Sequence, residues 1–137
     1  MALLAKTDPA VLEAHWDGLD NRPGYTLLRP AETGLVMVRG RISGTGAPFN
    51  LGEMTMTRCA VRLADGPVGF GHVAGRSRRH AELAALFDAM LQDARWHAAL
   101  QSNLLDELAE GLAAARRTDE AEIAATKVDF FTMVRGE

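Results

Sequence analysis

With 137 residues, of which 47% are hydrophobic and 24% charged, the chain has the size and makeup of one ordinary folded domain rather than of a disordered segment. Its net charge of −3 is unevenly spread: Arg39 to Arg79 holds seven arginines (Arg39, Arg41, Arg58, Arg62, Arg76, Arg78 and Arg79) against Glu53 and Asp65, a net of +5 that leaves −8 for the rest. No apolar run approaches the ~20 residues of a membrane span, MALLAKTDP is too short and turns acidic too soon for a secretory signal, and the lone Cys59 suits a reducing compartment. A cytoplasmic protein with no membrane partner is expected.

Asp8-Pro9 opens a helix, with Asp8 as cap and Pro9 at the first helical position, and Val11, Leu12, His15, Trp16 and Leu19 recur at helical spacing. Gly18, Asn21, Pro23 and Gly24 end it. Tyr25 to Arg29 alternates as a first strand that Pro30 stops, and Glu32-Thr33-Gly34 turns the chain into a second. There Val36, Val38 and Ile42 share one face, read as the core side, and Met37, Arg39 and Arg41 share the other. Ser43 to Gly46 is a connection, and the longest strand follows from Met54 to Ala64, with Thr55, Thr57, Cys59, Val61 and Leu63 inward and Arg58 and Arg62 outward. Asp65-Gly66 signals a hairpin, so Pro67 to Val73 returns antiparallel, Gly69 and Gly71 permitting close backbone approach.

The period then changes. Leu83, Leu86, Phe87, Met90, Leu91, Ala94 and Ala98 predict one long amphipathic helix over 77–101 that covers the apolar sheet face. Leu104, Leu105, Leu108 and Leu112 mark a second helical stretch, and Asp119 and Glu122, spaced as a capping box, open a third. The fold class is therefore α+β: a small, mainly antiparallel sheet of about four strands, one face covered by helices and one basic, with an N-terminal helix, C-terminal helices and an extended tail. Residues 1–127 form the domain, and 128–137 a docking segment in which Phe130, Phe131 and Met133 supply the apolar contacts.

Sequence patterns that carry chemistry are sparse. Ser43-Gly44-Thr45-Gly46 lacks the Lys-Ser/Thr ending of a phosphate loop and precedes a strand, so a plain connection is the favoured reading. Gly69-Phe70-Gly71 lies inside a strand, where no dinucleotide turn forms. His15, His72, His80 and His97 show no metal spacing, and nothing resembles a nucleophile elbow; Cys59, on the inward face, reads as a core residue, and Trp16 and Trp96 as helix anchors. Arg76, Arg78, Arg79 and His80 crowd a helix start, where the macrodipole disfavours cations. Either a bound phosphate or acidic segment compensates them, or their side chains reach water. No metal or cofactor is expected on this chain alone, and the basic strands point to an anionic ligand or an acidic partner surface.

The runs Ala31-Glu-Thr-Gly-Leu35, Gly44-Thr-Gly46, Thr57-Arg-Cys-Ala-Val-Arg-Leu63 and, most specifically, Lys127-Val-Asp-Phe-Phe-Thr-Met-Val-Arg-Gly136 resemble the PhnG family, the G subunit of the bacterial carbon–phosphorus lyase system. The resemblance covers nearly the whole chain. It implies membership of a core complex with the H, I and J subunits and a functional link to the L protein, with neither nucleic acid nor membrane as partner. With the H, I and L proteins the G subunit is needed to move the ribose triphosphate of ATP, a substrate of the complex, onto an alkylphosphonate with release of adenine. No catalytic residue carries over from the family, and the basic region offers only Glu53 and Asp65 as carboxylates. An accessory subunit is the expected role, and a purely structural assembly protein is the alternative. Family members carry a short basic, tryptophan-containing segment ahead of the methionine matching Met1, which implies a longer native start.

Overall fold

A computed structural model describes residues 1–128. In chain order these form α1 (Ala2–Lys6), α2 (Pro9–Asp17), β1 (Tyr25–Arg41), a 3-10 turn (Ile42–Gly44), β2 (Pro48–Leu63), β3 (Val68–Ala74), α3 (Arg78–Leu91), α4 (Ala94–Leu100), a π turn (Gln101–Leu105) and α5 (Asp106–Ala125). The three strands make one antiparallel sheet in the order β1-β2-β3. The α+β class stands, with three strands in place of about four.

The strand count differs because Pro30 does not stop β1. β1 is an edge strand, and the pairing with β2 slips between Arg29 and Glu32, so the missing N–H of Pro30 falls where the ladder is interrupted. Glu32-Thr33-Gly34 is accordingly strand, paired to Arg58, Thr57 and Met56, and not a turn. Asp65-Gly66 does turn β2 into β3, with Asp65 at φ 52° and the Leu63 N–H donating to the Pro67 carbonyl. Ser43 and Gly44, both at positive φ, close the β1–β2 hairpin, as a plain connection would.

Only half of this sheet has a core. Cys59, Val61 and Leu63 of β2 and Val73 of β3 meet Leu83, Leu86, Phe87 and Met90 of α3, and Leu4, Leu12 and Trp16 close the cluster from the N-terminal helices. Trp16 stacks edge-on against Tyr25 and Phe87, with centroids 6.2 and 6.3 Å away. Gly69 and Gly71 let α3 lie directly on β3: a Cβ at either would collide with the helix backbone, at Ala85 and Ala81 respectively. The seam is lined by alanines for the same reason, Ala81, Ala84, Ala85 and Ala89 all being buried. Leu4, in a helix too short to read from periodicity, is fully buried, and its carbonyl accepts a 2.8 Å hydrogen bond from His80 Nε2.

The helical region divides differently from its sequence pattern. Asp93 leaves helical geometry (φ −98°, ψ 125°) and its side chain accepts from the Arg95 N–H, capping α4 and splitting the expected long helix. Conversely α5 runs through Asp119 and Glu122 without a break, because Ala113-Ala-Ala-Arg-Arg117 consists of strong helix formers and an i, i+3 acidic pair on an exposed helix imitates a capping box. Beyond Leu112 every described residue of α5 is exposed.

Candidate functional site

Opposed residues of an antiparallel pair share a face, so the register assigns the side chains. Thr33 pairs with Thr57, their hydroxyls 3.0 Å apart, and Leu35 pairs with Thr55, which puts these on the helix side. Glu32 pairs with Arg58, Gly34 with Met56 and Val36 with Met54, on the other side. Val36 and Val38 are therefore on the face of Arg58, where no helix packs, and Met37, Arg39 and Arg41 alternate onto the opposite one. This corrects the expected valine core, and it separates Arg39 and Arg41 from Arg58 and Arg62. The pairing decides this: Val36 lies opposite Met54 and Val38 opposite Gly52, on the face of Arg58, and the two slips between Leu27 and Glu32 together leave β1 with the parity of its first half.

The uncovered outer face carries Arg58 and Arg62 of β2 and, from β3, Phe70 opposite Ala60 and His72 opposite Arg58. Glu32 Oε1 accepts from Arg58 Nε and from Arg29 Nη1, each at 2.8 Å. The bond from Arg58, reinforced by its charge and by Arg29, holds the Glu32 carboxyl below the usual carboxylate range. An acid so held is ionised at neutral pH, so it offers no proton there; it orients two guanidinium groups. Arg62 makes an ion pair with no described residue. A cavity of about 330 Å³ opens beside this cluster, lined among others by Glu32, Val36, Met56, Arg58 and His72. Two arginines, a histidine and one committed carboxylate suit the binding of a phosphate-like anion or an acidic surface.

The basic start of α3 resolves into separate fates. Arg79 clamps Glu13 of α2 through Nε and Nη2, at 2.9 and 2.7 Å, and lies 3.5 Å from Glu82. That carboxylate pair compensates the cation at the helix start, and the bonds from Arg79 lower the Glu13 pKa. His80 turns inward to Leu4 and is buried. Ser77 caps the helix, its Oγ accepting from the His80 N–H. Arg76 and Arg78 remain exposed and pair with no described residue, so the four side chains do not converge on one point.

Arg41 donates to the Gly46 carbonyl at 3.1 Å, and Arg39 is exposed beside it on β1. Cys59 is buried, and burial pushes its thiol pKa up, as a core cysteine requires. Phe130, Phe131 and Met133 lie outside the described residues. Among the described residues no three His, Cys, Asp or Glu side chains gather as a metal site, and no helix is long and apolar enough to cross a membrane.

Glu32 and His72 are the members of this cluster that sequence reasoning missed. The spacing of Arg29 and Glu32 was a signal, masked by the intervening proline. His72 follows from Gly69 and Gly71: if these face the helix, Phe70 and His72 must face away. A second cleft, of about 480 Å³, lies between α2 and the α4–α5 region; Trp96 and the His15–Glu107 pair, 3.2 Å apart, line it.

The family model described as "Phosphonate metabolism protein PhnG" matches residues 1–136. The chain is also 49% identical, over 137 residues, to the alpha-D-ribose 1-methylphosphonate 5-triphosphate synthase subunit PhnG of Rhizobium meliloti (strain 1021), a match that covers 100% of this chain and 87% of the relative.

Proposed function

The chain belongs to the PhnG family of phosphonate metabolism proteins, and from that premise we propose that it is an accessory subunit of a cytoplasmic carbon–phosphorus lyase core complex. It acts there with the H, I and J subunits and, through the L protein, in transfer of the ribose triphosphate of ATP to an alkylphosphonate. In that reaction a phosphonate oxygen bonds to the anomeric carbon of ribose while the bond from that carbon to adenine breaks, and adenine leaves with a proton. Such a transition state calls for a proton donor at the leaving group and for cations around the triphosphate.

The observation that carries the proposal is the outer sheet face. Arg58, Arg62 and His72 stand there uncovered, and the one carboxylate among them, Glu32, is held ionised. This geometry supplies arginine cations and no protonated carboxyl group, which supports a helper of a neighbouring active site rather than the seat of the chemistry. Arg76 and Arg78 add exposed cations for the same anion or for an acidic partner, Arg79 supports the scaffold through Glu13, and Phe130, Phe131 and Met133 contact a partner subunit. No cofactor is assigned to the chain, and ATP is a substrate of the whole complex.

The test is co-expression with the I subunit and an assay of adenine release from ATP with and without this chain, products being identified by phosphorus NMR. Ribosyl-phosphonate made by the isolated chain, or made at full rate without it, overturns the proposal. The alternative, a purely structural assembly protein, is favoured by how much of β1 and β2 lies outside the core. Charge reversal at Arg58 and Arg62 separates the two: an intact complex with reduced, salt-sensitive turnover supports the accessory role, and an intact complex with normal turnover supports the structural one.

A further inference from the structure

Between Ala31 and Cys59 no residue belongs to the apolar core. Every residue from Gly34 to Met54 is exposed or half-buried, so the distal parts of β1 and β2 stand out from the domain as a two-stranded ribbon. A two-stranded ribbon in water is marginal without something packed on it. Both of its long edges are also open: β1 is the edge strand, and β3 pairs with β2 over Met56 to Arg62, with Gly75 adding one backbone bond to the Thr55 carbonyl, leaving Pro48 to Met54 uncovered on that side. Six of the twelve large apolar side chains exposed among the described residues are on this ribbon: Leu35, Met37, Ile42, Phe49, Leu51 and Met54.

The ribbon is ordered along its length. Leu35, Met37, Arg39 and Arg41 share one face of β1 by alternation, and at roughly 3.4 Å per residue they span about 20 Å. Leu35 and Met37 are 65% and 52% exposed. From Thr33 to Gly52 the only charged residues are Arg39 and Arg41, while the remaining chain carries −5. Glu53, the first acidic residue back along β2, pairs with Met37 and so shares this face at the β2 margin of the apolar end, opposite neither arginine.

We propose that this ribbon is a docking arm seated in a different protein, in a trough whose floor is apolar where Leu35 and Met37 enter and whose far end presents carboxylates to Arg39 and Arg41. The proposal rests on the subunit reading above and adds to it the surface used and the chemistry of its counterpart. A second copy fits less well: two arms related by a two-fold axis would bring four arginines of like sign into one interface with no acidic residue of the arm tips among them.

The test uses the full chain co-expressed with the H, I and J subunits, complex formation being measured by light scattering after size exclusion. The wild-type chain is compared with the double variants Leu35→Asp/Met37→Asp and Arg39→Glu/Arg41→Glu. Because the core cluster omits the arm, both variants should unfold at the wild-type urea concentration. The apolar variant should lose association by about 100-fold or more, and the charge variant by about 10-fold at low salt with the difference shrinking at high salt. Wild-type assembly with both variants assembling equally well overturns the arm while leaving the subunit reading intact. Failure of the wild-type chain to join any of these subunits removes the subunit reading and the arm proposal with it. An isolated wild-type chain of twice its monomer mass, reduced to monomer by the same variants, assigns the trough to a second copy and overturns the proposal as stated.

Discussion

Gly71→Ala tests the helix–sheet seam on which the whole site depends. A Cβ at this position would be driven into the Ala81 carbonyl and would also stand 3.0 Å from the Ala85 nitrogen, both of them backbone atoms of α3 that no rotamer change can remove. Relief requires α3 to lift from β3 by about an ångström or more, which loosens the packing of Val73 on Leu83, Leu86 and Phe87. Overpacking of a well-filled core typically costs ~1–3 kcal/mol, and a clash against backbone belongs at the upper end, so about 3 kcal/mol is expected. A domain of this size has roughly 5–15 kcal/mol of stability in total. With a urea slope of about 2 kcal/mol per molar, the midpoint should fall by about 1.5 M. Gly34→Ala is the matched control: nothing lies within 4 Å of its would-be Cβ, it sits on the arm, and its midpoint should stay within ~0.3 M of wild type. Equal midpoints for Gly71→Ala and Gly34→Ala would refute the close-packed seam, and with it the assignment of Phe70 and His72 to the outer face.

Further expectations follow from the same geometry. Glu13→Gln should lower the urea midpoint modestly at pH 7, because the Arg79 bonds hold the folded Glu13 carboxyl below its ordinary 4.5; stabilisation from such a lowered group is present above the unfolded value and is lost as pH falls through the folded one. The difference between variant and wild type should therefore shrink steadily as pH falls below the unfolded value, and a difference that does not change with pH would assign the effect to packing instead. Cys59 should react with an aromatic disulfide reagent at pH 8 only after unfolding, since burial both blocks it and raises its pKa; rapid labelling of the native chain would contradict its core placement. Removal of residues 128–137 should abolish assembly with the partner subunits and leave the urea midpoint of the isolated chain unchanged, as aromatic side chains of ~150–250 Å² serve an interface; a collapsed midpoint would place the segment in this domain's own core.

The sequence by itself determined the parts whose signal is local. Asp8 before Pro9, Asp65-Gly66, the inward set Cys59, Val61 and Leu63, and the apolar stripe of α3 each depend on neighbours within a turn or a strand, and each stands in the structure. The paired glycines also spoke locally, since a strand interior rarely contains Gly69 and Gly71 without a backbone nearby. Tertiary structure alone decided the rest, because it depends on who the neighbour is. Whether Pro30 ends a strand turns on whether its edge is used, and β1 is an edge. Which way Val36 and Arg39 point turns on which residues of β2 lie opposite them, and that register, with its slips between Leu27 and Glu32 and at Val38 to Arg39, is set by the partner strand. The four basic side chains at the start of α3 looked alike in sequence; one was claimed by Glu13, one by the Leu4 carbonyl, and two were left to solvent, because α1 and α2 pack against one flank of that helix and not the other. The alternating apolar residues of the arm promised a core on the same pattern as β3, yet the helices end short of them. Alternation records that a side chain has an apolar destination, and only the assembled fold reveals that this destination is not within the described chain.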